Sequence, residues 1–238
     1  MVDFTGGTWR SLIDGSEVGA IPDELDNQYR GFDSGVNPGE TVDPWPDQVG
    51  NDDLNALDNA NNTLNEEGVN GVDSITIESD DDGWQYTGSS INAPCSLIFT
   101  LSADKDANNN IRQLVATDEE ENLILYREDD NEYRLDIDGN SSQAGPVIDG
   151  DQIITLTAGD GSAELRVNGD ELISISIPSE VEILSNNNPT FWNRVDNLRP
   201  LKGDACGVDI YRDAKLSGDD LTDAEKRAEN DYNMDVLN

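Results

Sequence analysis

Ile153-Ile154-Thr155-Leu156-Thr157, then Ala163-Glu164-Leu165-Arg166-Val167-Asn168-Gly169, then Leu172-Ile173-Ser174-Ile175-Ser176-Ile177, is the stretch on which the fold turns. Ile154 and Leu156, then Ala163, Leu165 and Val167, then Ile173, Ile175 and Ile177 alternate with polar neighbours. Successive side chains of a strand point to opposite faces, so period two marks a strand with one face buried and one face wet. Asn168-Gly169 sits between Leu165-Arg166-Val167 and Leu172-Ile173. Both residues tolerate the positive φ of a tight turn, which makes the pair a hairpin signal.

The pattern continues outward in both directions. Ile75 and Ile77 alternate with polar residues, as do Leu97, Phe99 and Leu101, Leu123 and Leu125, Tyr133, Leu135 and Ile137, and finally Val208 and Ile210. The breaks carry turn chemistry: Asp138-Gly139-Asn140, Asp149-Gly150-Asp151, Gly159-Asp160-Gly161 and Asn168-Gly169-Asp170. Many short period-two runs separated by such turns predict an all-β, antiparallel two-sheet sandwich. One helix is expected near the end. Thr222 and Glu225 have capping-box spacing, Asp223 adds negative charge to a first turn, and the segment from Asp223 to about Tyr232 is helix-prone. Residues 1–25, which contain the Gly-bounded amphipathic stretch Gly7 to Gly15, are too short for a domain and are expected to be a docking arm with Trp9, Leu12 and Ile13 as its apolar contacts. Residues 26–238 then make one sandwich domain.

Composition narrows the function. The chain has 51 acidic residues, 34 of them Asp, against 14 basic ones, only 4 of them Lys; it has no His, and its formal charge is −37. Acids occur along the whole chain rather than in a tail. Such a charge repels itself in dilute buffer. Molar salt shortens the screening length to roughly 3 Å and makes it tolerable. The balance resembles that of proteins from extreme halophiles. An acidic protein from ordinary salt is the alternative, and a DNA mimic a third, although a mimic needs a row of carboxylates and these are scattered. A surface of this sign does not gather on nucleic acid or anionic lipid. Without His there is no Ser-His-Asp or Cys-His machinery and no imidazole metal ligand. Cys95 and Cys206 cannot make a structural zinc site alone; a disulfide or two buried thiols are the alternatives. No apolar run approaches the roughly 20 residues of a membrane span, and the first residues have no apolar signal core.

Three ordered segments resemble the concanavalin A-like, laminin G-like jelly-roll superfamily. The first is Trp45-Pro46-Asp47-Gln48-Val49-Gly50-Asn51, leading to Gly71-Val72-Asp73-Ser74-Ile75-Thr76-Ile77 and the acidic turn Asp80-Asp81-Asp82. The second runs from Ile153 through Asn168-Gly169. The third is Val208-Asp209-Ile210-Tyr211-Arg212-Asp213-Ala214-Lys215-Leu216 with Thr222-Asp223-Ala224-Glu225, where Gly218-Asp219-Asp220 lengthens the link before the helix. The resemblance implies a jelly roll and a choice between a glycan-binding module, an adhesive part of a larger protein and a glycan hydrolase. A hydrolase needs two closely spaced carboxylates. Glu180 with Glu182, and Asp136 with Asp138, have the spacing but not the family's surrounding motif, so no catalytic residue and no enzyme activity is expected.

Asp80, Asp81 and Asp82, and Asp104 with Asp106, offer hard oxygen ligands for Ca²⁺, or are simply solvated loops; no cofactor is required. Trp84 and Tyr86 alternate after the acidic turn and either stack on a sugar ring or belong to the core. The arm from Gly6 to Asp23 resembles the beginnings of proteins of haloarchaeal viruses. That resemblance implies a non-enzymatic virion surface protein, a spike, turret or tail component. Its expected partners are other virion proteins, a host-surface glycan or glycoprotein and further copies of itself, with no nucleic acid and no membrane. The rival is a glycan-active enzyme or a cellular carbohydrate-binding protein of a halophile.

Overall fold

The computed structural model describes residues 9–10, 17–18, 25–104, 112–117, 123–127, 132–184, 189–193 and 200–237, with the side chains of 9–10, 17–18 and 123–127 outside the description. Trp9–Arg10 pairs antiparallel with Glu17–Val18. The rest of the arm, with Leu12 and Ile13, and the side chain of Trp9 lie outside the described residues. Leu25, the last residue assigned to the arm from sequence, is the first of the strand Leu25–Arg30 and pairs with Tyr211.

Two antiparallel sheets make the sandwich. One contains, in spatial order, Asp170–Ser176, Ser162–Val167, Gly150–Gly159, Cys95–Ala103, Gly203–Arg212, Val72–Ile77 and Thr63–Val69. Leu25–Arg30 joins it along the second half of Gly203–Arg212, after a register shift between Ala205 and Gly207. The other sheet is ordered Asn140–Ala144, Tyr133–Ile137, Leu123–Arg127, Arg112–Ala116, Thr190–Phe191, Trp84–Tyr86 and Leu54–Ala56. This is the antiparallel two-sheet sandwich that the alternation predicts, in the jelly-roll form that the resemblance implies.

The turns behave as their dipeptides require. Val167 pairs with Asp170 across Asn168 (φ 51°) and Gly169 (φ 83°), a two-residue hairpin with both central residues left-handed. Asp138-Gly139 joins Ile137 to Asn140, and Asp160-Gly161 joins Gly159 to Ser162, in the same way. Asp149-Gly150 instead leads into the long strand Gly150–Gly159 and closes no hairpin.

Between the sheets lie the alternating residues read from sequence: Leu97, Phe99 and Leu101, Ile154 and Leu156, Leu165, and Val208 and Ile210, all buried. Trp45, Trp84 and Trp192 meet at the centre, with ring centroids 4.8 to 5.8 Å apart. Buried indoles need partners for their N–H groups. Trp45 Nε1 donates to the Arg30 carbonyl at 2.9 Å and Trp84 Nε1 to the Val42 carbonyl at 3.2 Å. Trp84 and Tyr86 are therefore core residues, 0% and 2% exposed, and offer no face to a sugar. Their strand sits inside its sheet, with Leu54–Ala56 on one side and Thr190–Phe191 on the other.

The helix covers the outer face of the larger sheet, where Ile98, Ile153, Cys206 and Tyr211 pack against Leu221, Ala224, Ala228 and Tyr232. It spans Gly218–Asp231 and so begins five residues earlier than Thr222 and Glu225 suggest. Thr222 lies inside it, with Oγ1 donating to the Gly218 carbonyl at 3.0 Å, and does not cap it. Gly218-Asp219-Asp220 is the first turn rather than a linker. Its two acids sit where the helix dipole favours them, and burial of Leu221 fixes that turn on the sheet. Among the described residues, no helix is long and apolar enough to cross a membrane.

An ion network ties this helix to the sheet. Arg30 and Asp209 are 2% and 1% exposed and paired at 2.7 Å; Arg227, 5% exposed, reaches Asp209 Oδ2 at 2.7 Å. Burial by itself would raise the Asp209 carboxyl, but the two guanidinium groups outweigh it and hold Asp209 below the usual carboxylate range. Asp231 takes the remaining side of Arg30 at 2.8 Å, and burial pushes its carboxyl up against that pull. Cys95 belongs to the core between the sheets and Cys206 to the layer under the helix, both as free thiols.

Candidate functional site

An open groove of ≈ 890 Å³ lies over the edge strands Thr63–Val69 and Val72–Ile77 of the larger sheet. Its floor follows from strand alternation. Thr63 pairs with Thr76, Leu64 with Ile75 and Asn65 with Ser74. Leu64, Ile75 and Ile77 go into the core, which leaves Thr63, Asn65, Thr76 and Glu78 for the outer face. After Asn65 the pairing shifts register until Val69 meets Val72. Glu66 leaves the ladder there and lines the groove. Pro38 and Gly39 close the other side, held by Gly39 N–H donating to the Leu64 carbonyl at 2.8 Å.

The rim is braced by buried polar side chains. Asp82 is 2% exposed. Its Oδ2 accepts from the backbone N–H groups of Glu78 and Ser79 at 2.9 and 2.8 Å, and its Oδ1 from Asn61 N–H at 2.7 Å. Asn62 exchanges two hydrogen bonds with the Gly83 backbone, at 2.8 and 3.0 Å. Asp204, on the neighbouring strand, accepts from Ser74 Oγ and Thr76 Oγ1, both at 3.1 Å. These bonds fix the turn 78–83 to the edge strands, so the groove is formed before any ligand arrives.

Asn65, Glu66 and Glu78 are exposed, and their side chains make no hydrogen bond or ion pair with another described residue. An amide both donates and accepts, and a carboxylate accepts at two oxygens. Together they present open hydrogen-bonding capacity on a rigid polar floor, next to the hydroxyls of Thr63 and Thr76. Sequence reasoning passed over all three, because isolated Asn and Glu residues in so acidic a chain carry no local signal.

Of the residues singled out as Ca²⁺ ligands, the described ones form no cluster that could hold a metal. Both oxygens of Asp82 are occupied by backbone N–H groups. Asp80 faces away to Lys202 at 3.2 Å and Arg112 at 3.5 Å. Asp81 donates its backbone N–H to Ser79 Oγ at 3.3 Å. Asp104 lies at the end of another strand, and Asp106 is outside the described residues. No group of three or more potential ligands that could hold a metal occurs among the described residues. Of the two carboxylate pairs, Asp136 is bound to Arg134 at 3.1 Å, while Glu180 and Glu182 are exposed, Glu182 on a short strand that pairs with Ile91–Asn92 outside both large sheets.

No family model and no curated protein matches this chain. Solved structures do. The sialidase of Trypanosoma rangeli, in complex with 2,3-difluorosialic acid as a covalent intermediate, matches 92% of this chain at 13% identity with a TM-score of 0.59. A mutant of HCR/D matches 87% of it at 17% identity with a TM-score of 0.56. The chain spans 34% of the sialidase and 52% of HCR/D. At such identities the likeness is one of fold: this chain is a β-sandwich of the kind found within those larger proteins.

Proposed function

We propose that this domain is a non-enzymatic glycan-binding module whose site is the groove at the sheet edge. The observation that carries the proposal is the lining: a preformed floor of Thr63, Asn65, Thr76 and Glu78, with Glu66 at its side, whose free carboxylates and amide match the hydroxyl groups of a sugar. The sandwich's likeness to a domain-sized part of a sialidase supports the same reading by analogy of fold. No aromatic ring lines the groove among the described residues, so a single site binds weakly, and firm attachment comes from several copies acting together. The test is a glycan-array screen in molar KCl followed by titration of the hits. Asn65→Ala and Glu78→Ala should each weaken binding several-fold with the fold intact. Binding indifferent to both substitutions would move the site elsewhere.

The setting we propose is the surface of a halophilic virus particle, where the module binds a host glycan or glycoprotein as a homo-oligomer. Composition and the arm support this. Removal of residues 1–24, which spares the strand residue Leu25, should leave the sandwich folded and abolish incorporation into particles. Polysaccharide turnover lost on Glu180→Gln or Glu182→Gln would favour the enzyme instead.

A further inference from the structure

We infer that the groove takes non-acidic glycans and rejects those bearing carboxylate, sulfate or phosphate groups, a specificity that rests on the groove being the glycan site. The inference follows from which hydrogen-bonding positions remain free. Thr63 Oγ1 already donates to the Asn61 carbonyl at 2.9 Å, and Thr76 Oγ1 to Asp204 at 3.1 Å. Each hydroxyl has one hydrogen, so both have only lone pairs left for a ligand. Glu66 and Glu78 are acceptors alone. The donors that remain among the lining side chains are the amides of Asn61 and Asn65 and the hydroxyl of Ser79.

Among the described residues, the lining contains no Lys or Arg. Arg112 and Lys202 reach the adjoining turn, but both close on Asp80. Acceptors therefore dominate the groove, and a fitting ligand must mainly donate. Sugar hydroxyls do so, and an amine does so with added attraction. An acidic group brings only acceptors and a like charge beside two carboxylates, with no cation among the described lining residues to meet it. The rejection is local rather than a result of net charge: at molar salt the charge of the rest of the surface is screened beyond roughly 3 Å, whereas groups in direct contact are not.

The experiment is a pair of titrations of the full chain in molar KCl, with a neutral oligosaccharide and with its sialylated or uronate-bearing counterpart. The neutral form should bind at least about tenfold more tightly. In the double variant Glu66→Gln, Glu78→Gln, whose altered residues are both exposed, the gap should shrink to within about threefold while circular dichroism stays unchanged. Equal or tighter binding of the acidic glycan, weakened by Asn65→Ala, overturns the inference and leaves the glycan module standing. A tenfold preference that persists in the double variant overturns it as well, since the discrimination then arises elsewhere. Binding of no glycan of either kind overturns both this inference and the function on which it rests.

Discussion

Replacing Asp209 with Asn should be among the most damaging single changes to this fold. The Asp209 carboxylate takes Arg30 Nη1 at 2.7 Å and Nη2 at 3.1 Å, Arg227 Nη2 at 2.7 Å and Gln28 Nε2 at 3.3 Å. An amide retains one acceptor and turns its NH₂ toward guanidinium donors. Arg30 would still hold Asp231, but Arg227 would be left with the Tyr211 hydroxyl, and its Nε and Nη1 already have no hydrogen-bond partner among the described residues. Taking one partner from a buried charge group costs about 3–5 kcal/mol, because the other charge stays buried. In a domain of this size that lowers Tm by roughly 6–20 °C. Thermal melts in molar KCl measure it, since burial protects the network from screening. Asp231→Asn removes one contact from a residue that is 28% exposed, and should cost about 1 kcal/mol. A loss below about 1 kcal/mol for Asp209→Asn, or equal effects of the two substitutions, would refute the view that Asp209 clamps helix to sheet.

Acid should undo the same network in a defined window. The folded pKa of Asp209 lies below its ordinary 3.8, so its stabilisation is present above pH 3.8 and is lost as the pH falls further, through the folded value. Asp231 is shifted the other way: it favours the folded state below pH 3.8 and loses that advantage as the pH rises through its raised folded value. The stability difference between the wild-type chain and Asp209→Asn should be constant near neutrality and shrink below pH 3.8, as followed by denaturant titration. Dialysis from molar to millimolar KCl should unfold or precipitate the chain through repulsion among its 51 acidic residues; an unchanged Tm would refute the salt argument. Both thiols should resist a thiol reagent in the native state and react on unfolding. Burial pushes Cys95 up to about 12 and Cys206 well above its ordinary value, and only the thiolate reacts.

Much of the sandwich was legible in sequence because strand alternation and turn chemistry are local. Leu165 and Ile173 each report which way their neighbours point, and Asn168-Gly169 and Asp160-Gly161 accept the positive φ of their hairpins without help from distant residues. The helix start was misplaced because Thr222 and Glu225 carry a local cap signal, while the true start at Gly218 depends on Leu221 docking on a distant strand. Trp84 and Tyr86 were identified as sharing a face, but alternation does not say whether a face meets water or the other sheet.

Sequence alone determined the class of the fold, the charge, and the exclusion of imidazole chemistry. Tertiary structure decided which of many carboxylates are spent and which are free. Asp82, Asp204 and Asp209 are consumed by partners up to 181 residues away in the chain, whereas Glu66 and Glu78 are left open on one groove. In a chain this acidic, no local pattern separates the two kinds. Hydrogen bonds between strands far apart in sequence form only when the sheet closes, and they assign each carboxylate its role.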